Sequence, residues 1–180
     1  MSTFSFTLYD LSGNLTDGEF RDASNQVAYQ IRPRPMPKLT FNFPLLLGPT
    51  EIIRQLDWDI AALEHEPWKI TLKFGSNDTL GTVQVGERSA IPMADMLRRK
   101  EGAEPNGRYF TAIDGQEYFW KPASRRLQCF DRHGGLLAVY EYLMEDISYA
   151  KLDVKPLGWS MTTELIATLI LNRHAIRHGL

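Results

Sequence analysis

The run Leu165-Ile166-Ala167-Thr168-Leu169-Ile170-Leu171 has no polar stripe, and it lies inside a segment from about Thr162 to Arg173 that reads as helix. An amphipathic helix can rest on a core, but a helix that is apolar all round has to be covered on every side. Glu164 in its first turn and Arg173 in its last suit the helix dipole, and Ser160 and Thr162 are available to cap it. The apolar run is far short of the roughly 20 residues that cross a bilayer, so its cover must be protein.

The rest of the chain reads mostly as short strands. Phe4, Phe6 and Leu8 alternate with Ser5 and Thr7, and Val27, Tyr29 and Ile31 repeat the pattern. Ile52 to Trp58, Trp68 to Phe74 and Thr79 to Val85 are further strand candidates. Pro33-Arg34-Pro35-Met36-Pro37 cannot donate to a ladder and reads as loop or sheet edge. Two hairpins stand out. Tyr109 to Ile113 and Gln116 to Trp120 flank Asp114-Gly115, which suits a two-residue type I′ turn; Leu127 to Phe130 and Leu136 to Leu143 flank a longer turn over residues 131–135. A second helix is expected from Pro92 to Lys100, with the basic residues in its last turn and Gly102 beyond.

A two-layer sandwich covers one face of a helix, whereas a barrel covers all of them. A helix of about twelve residues is about 18 Å long, comparable to a barrel's height. The expected fold is therefore mainly β: one domain over residues 1–180, a β-barrel enclosing a hydrophobic C-terminal helix. The alternative is an α+β antiparallel sheet with one packed helix.

Composition narrows the function classes. With 43% hydrophobic and 23% charged residues the chain can build a core, which argues against disorder. A net charge of −2 exerts no global pull on nucleic acid, so no nucleic-acid partner is expected. Cys129 is the one cysteine, which excludes an internal disulfide. The N-terminal residues have neither a basic region nor an apolar stretch of signal-peptide type, so a cytoplasmic location is expected, with peripheral membrane association open. In that compartment the triplets Asn14-Leu15-Thr16 and Asn77-Asp78-Thr79 are chance matches to a glycosylation signal.

The segment from Arg108 to Lys121, with its aromatic residues around Asp114-Gly115 and with Tyr118 and Trp120, resembles the aromatic hairpin of a fungal family of unknown function. That family is similar to the tubby C-terminal, LURP-one and phospholipid-scramblase group. Ala138-Val139-Tyr140 resembles the strand that follows, and Thr163 to Arg173, including Leu165 and Leu169, resembles the family's apolar C-terminal helix. Ile53-Arg54 and Val27-Ala28-Tyr29 fit weaker early motifs. The resemblance implies a closed barrel of about twelve strands around the helix. The tubby-type relatives further imply recognition of anionic phospholipid headgroups by basic side chains.

Catalytic signatures are sparse. Asp114 and Glu117 could form a carboxylate pair, but turn chemistry accounts for Asp114, and Glu117 falls on a solvent face. His174 and His178 are spaced i,i+4 without a third ligand nearby, and His65 and His133 fall in turns, so no metal site and no cofactor are expected. No glycine-rich phosphate loop or nucleophile elbow occurs. Cys129 on a strand reads as an inert buried thiol, although Arg125 and Arg126 lie close in sequence.

Two basic clusters remain as candidate ligand contacts: Arg98-Arg99-Lys100, following Met93 and Met96, and Lys121 with Arg125 and Arg126. They support a non-catalytic binding module for a lipid or other lipophilic or anionic ligand, with anionic phospholipid or a small lipophilic molecule as partner. The methionines read as exposed and able to insert shallowly. Two alternatives stay open: a small enzyme of isomerase or cyclase type with a barrel cavity, and a protein-interaction scaffold using Pro33 to Pro37.

Overall fold

The computed structural model describes residues 6–33, 50–54, 69–75, 79–100, 102, 104–144 and 148–180. In chain order its strands are β1 (Phe6–Asp10), β2 (Gly18–Arg21), β3 (Val27–Pro33), β4 (Thr50–Arg54), β5 (Lys69–Lys73), β6 (Thr82–Val85), β7 (Ile91–Pro92), β8 (Arg108–Thr111), β9 (Glu117–Ala123), β10 (Arg126–Asp131), β11 (Leu136–Tyr142) and β12 (Ala150–Val154). A short helix α1 (Met93–Met96) follows β7, and a 3-10 segment (Pro156–Met161) leads into α2 (Thr162–Arg177).

All twelve strands belong to one antiparallel sheet with the order β7-β6-β5-β4-β3-β2-β1-β12-β11-β10-β9-β8. Two meanders are joined by the pairing of β1 with β12, in which Leu8 stands opposite Leu152. Alternation along each strand sends one side inward. On β12, for example, Ala150, Leu152 and Val154 are buried while Lys151 and Asp153 are not.

The sheet wraps α2. Every α2 residue from Thr162 to Ala175 is buried, and Leu165, Ile166, Leu169 and Ile170 join side chains from both meanders in one hydrophobic cluster. The apolar run thus gets the all-round cover it requires.

Closure differs from the expected barrel. The edge strands β7 and β8 share no ladder, so the sheet is curled but open. The cause is local. β7 is two residues long and ends on Pro92, which has no N–H to donate, and the chain turns at once into α1. A single bridge spans the seam: Arg98 N donates to Tyr109 O at 2.9 Å and Tyr109 N to Arg98 O at 2.7 Å. The helix expected through Lys100 accordingly stops at Met96, because Leu97 is extended (φ −128°, ψ 98°) to bring Arg98 to that bridge. Met93, Met96 and Leu97 are buried and fill the seam, so the methionines are not the exposed inserting side chains the sequence suggested.

Polar groups fix the helix within its cover. Trp120 Nε1 donates to Thr168 Oγ1 at 2.9 Å, and Ile113 N donates to Glu164 Oε1 at 2.9 Å. Toward the other end Arg173 Nη1 donates to Asp10 Oδ2 at 3.1 Å and Nη2 to Gly13 O at 2.7 Å. Gly13 has φ +65°, and a Cβ there would lie 2.5 Å from the Tyr149 ring, so this carbonyl is presented by a residue that must lack a side chain. Neither Ser160 nor Thr162 caps α2. Its N-cap position is Met161, and Thr162 Oγ1 donates backward to Trp159 O at 3.1 Å, since the 3-10 segment runs straight into the helix.

The Asp114-Gly115 hairpin also differs from expectation. Gly115 has φ +76° and Asp114 is not in the left-handed region. Gly115 N donates to Ala112 O and Ala112 N to Gln116 O. This is the pattern of a type I turn followed by a left-handed bulge residue, one residue longer than a type I′ turn. The link from β10 to β11 repeats it with Asp131 and Gly134, and the link from β2 to β3 repeats it with Asp22 and Asn25. Phe4, Arg34 to Pro37, Trp58, His65 and Trp68, which carried expectations above, lie outside the described residues.

Candidate ligand-binding site

The structure sorts the six candidate basic residues by their partners. Arg98 and Lys100 converge on one carboxylate. Arg98 Nη2 donates to Glu117 Oε2 at 3.2 Å and Lys100 Nζ to Glu117 Oε1 at 2.6 Å, with Lys100 also 5.1 Å from the centre of the Tyr109 ring. The Lys100 hydrogen bond, then that of Arg98, hold the Glu117 carboxyl below its ordinary range despite partial desolvation. Arg99 Nη2 donates to the Leu180 carbonyl at 3.0 Å, and Arg108 donates to the same oxygen. Lys121 Nζ lies 2.6 Å from Glu104 Oε1. The first cluster and Lys121 are therefore tied to groups of the chain itself.

Arg125 and Arg126 differ. Arg125 lies in the link between β9 and β10, and Arg126 opens β10, where it pairs with Ala123. Both are exposed, and neither forms an ion pair with a described carboxylate. Arg126 stands opposite Glu141 in the β10–β11 ladder, but Glu141 Oε2 is taken by Lys151 at 3.3 Å. Arg125 Nη1 donates to Met144 Sδ at 2.9 Å.

Sequence reading missed the apolar side chains beside them. Met144 is 82% exposed, Tyr149 42% and Leu11 39%. Backbone hydrogen bonds make these one neighbourhood: Tyr142 N donates to Arg125 O, Leu143 N to Tyr149 O, and Tyr149 N to Asp10 O, next to Leu11. The rim at the C-terminal end of α2 thus combines two arginines with three exposed apolar side chains. A lone Met in sequence gives no sign of this, because the grouping is made by strand ends far apart in the chain.

The remaining candidates have structural roles. Tyr118 Oη donates to Asp114 Oδ2 at 2.6 Å; burial, then that hydrogen bond, push the phenol well above its usual range. Leu165 and Leu169 are fully buried, as is Trp120. Cys129 is buried and its thiol is pushed up, chiefly by desolvation, which makes it a poor nucleophile. The rings of His174 and His178 are 4.5 Å apart, and His174 is buried. Among the described residues no group of three or more His, Cys, Asp or Glu is placed to hold a metal ion.

A concavity of about 160 Å³ lies at the opposite end, between the 114–116 and 131–135 turns, bordered by Tyr118, Arg132, His133 and Leu157. Sites that enclose a drug-sized ligand are typically about 300–1,000 Å³.

A family model described as a family of unknown function, DUF6593, matches residues 13–178, which includes the seam, α2 and the rim except for Leu11. The chain belongs to DUF6593. No curated protein and no solved structure matches the chain. The DUF6593 match begins at Gly13, the residue whose carbonyl receives Arg173, and so takes in one side of the buried clamp beneath the rim. No helix among the described residues is long and apolar enough to cross a membrane.

Proposed function

We propose that this DUF6593 protein is a non-catalytic binding module that docks on anionic lipid through the rim formed by Arg125, Arg126, Met144, Tyr149 and Leu11. The supporting observation is the pairing of two arginines free of described ion pairs with exposed apolar side chains on the same rim. Each component has a defined part. Arginines near an anionic surface contribute around 1 kcal/mol each, and exposed apolar side chains gain by entering the headgroup boundary. The resemblance to tubby and scramblase-type barrels supports the same ligand class, and the exposure of Met144, Tyr149 and Leu11 favours a surface site.

Vesicle flotation tests it. The protein should float with phosphatidylcholine vesicles containing anionic lipid and not with pure phosphatidylcholine. The electrostatic part should weaken as salt shortens the roughly 8–10 Å screening length. Arg126→Gln with Met144→Ser should weaken flotation, whereas Arg99→Gln should leave it nearly unchanged. Absence of flotation on any anionic lipid at low salt ends the proposal. Glu145 and Asp146 follow Met144 in the sequence, so neutralising both should strengthen flotation, not weaken it.

A further inference from the structure

Nine of the described residues have a left-handed backbone: six glycines, Asn25, Asn106 and Arg125. Glycine adopts this conformation freely and asparagine tolerates it, while other side chains crowd the following carbonyl. Arg125, at φ 59°, is the exception. The link between β9 and β10 is the two residues Ser124-Arg125, and a left-handed second position is where such a turn favours glycine or asparagine. Tyr142 N donates to Arg125 O at 3.0 Å, so the neighbouring strand engages the backbone whichever side chain is present.

The arginine side chain returns little to the fold. Its contact is one hydrogen bond to a thioether sulfur, a weak acceptor. That contact uses Nη1 and leaves the Nε–Nη2 edge without a partner among the described residues. This edge is the fork that matches two oxygens of a phosphate. Strained backbone retained at an exposed tip is a recurrent mark of ligand contact, and the left-handed glycines and asparagines elsewhere in the chain are its internal control.

We infer that Arg125 is a specificity-determining residue whose Nε–Nη2 edge grips a lipid phosphate, with a strained backbone retained for that contact. The inference rests on the membrane reading above and names the group recognised. The experiment compares wild type, Arg125→Asn and Arg125→Lys in the full chain, by thermal melting and by flotation on phosphatidylcholine vesicles with and without phosphatidic acid. Arg125→Asn should raise the melting temperature by about 2–4 °C as the strain is relieved. It should also weaken flotation about fivefold. Arg125→Lys keeps the charge and the strain but loses the fork, so it should melt like wild type and bind phosphatidic acid vesicles less well.

A lower melting temperature for Arg125→Asn would make the arginine structural and overturn the inference. Wild-type flotation of Arg125→Asn or Arg125→Lys would overturn it too, while leaving the membrane reading to Arg126 and Met144. Failure of the wild-type protein to float would overturn both.

Discussion

Two arginines at the same end of the helix illustrate how this fold separates structural charge from charge available for binding. Arg173 is buried, with its side chain 5% exposed. It donates to Asp10 and to Gly13 O, and lies 5.0 and 5.3 Å from the centres of the Tyr140 and Tyr149 rings. Arg125, on the rim, is exposed and makes one weak hydrogen bond. Tyr149 connects the two regions, since its ring covers Arg173 while its edge is exposed on the rim. The difference lies in saturation. Arg173's donors are spent on the fold, whereas those of Arg125 are available to something outside it. Residue type and sequence cluster do not separate them; partners do.

Removing Arg173 should have the largest effect. Arg173→Ala leaves the Asp10 carboxylate buried with, among the described residues, Tyr140 Oη and Gly13 N as donors, and should cost about 3–5 kcal/mol in urea unfolding. Arg173→Leu combined with Asp10→Asn removes both charges and should be much milder than the single change. Equal losses would mean that packing at the helix end, and not the buried pair, sets the cost.

Next comes the polar peg on the other half of the helix. Thr168→Val preserves shape but leaves Trp120 Nε1–H buried without an acceptor, which should cost about 1–3 kcal/mol. Flotation should be unchanged by it, since the site lies on the rim. Loss of vesicle binding in a folded Thr168→Val protein would argue that helix seating and rim are coupled, and would blur the distinction drawn above.

The helix and most strands were legible in the sequence because their signals are local. Val27, Tyr29 and Ile31 announced β3, and the apolar run announced a covered helix. The helix expected to end at Arg173 continues to Arg177, because His174 reads as an exposed helix end but is buried beside Phe74; Asp10, 163 residues away from Arg173, makes burial of that arginine tolerable. The strand β12 is weakly marked in the sequence although Ala150, Leu152 and Val154 alternate, since Lys151 and Asp153 carry charge and Ala150 is small. The open seam was hidden because it depends on what faces β7, and Pro92 shows only that the strand must stop. At the candidate site the basic residues were visible, but their neutralisation was not. Arg98 and Lys100 meet Glu117 from 19 and 17 residues away. Likewise, Met144 became a candidate only when the strand ends were placed beside Leu11 and Tyr149.

The smallest expected effect sharpens the comparison most, because it frees charge without adding apolar surface. Glu117→Gln releases Arg98 and Lys100, which are not beside the exposed Met144. Both ion pairs are substantially exposed, so the stability loss should be only about 0.2–1 kcal/mol and should shrink in high salt. The sign of its pH dependence follows from the direction of the shift. The Lys100 and Arg98 hydrogen bonds hold the folded-state carboxyl pKa below its ordinary value. That stabilisation is full above the unfolded value and is lost as pH falls through the lowered folded value. The melting difference between wild type and Glu117→Gln should therefore be present at neutral pH and close as the medium is acidified below about pH 4. Flotation supplies the second readout. If the rim works by joining arginine to apolar side chains, two newly freed cations elsewhere should change anionic-vesicle binding by less than about twofold, against about fivefold for the loss of Arg125. An increase as large as the Arg125 loss would mean that accessible positive charge alone governs binding, and that Met144, Tyr149 and Leu11 contribute nothing.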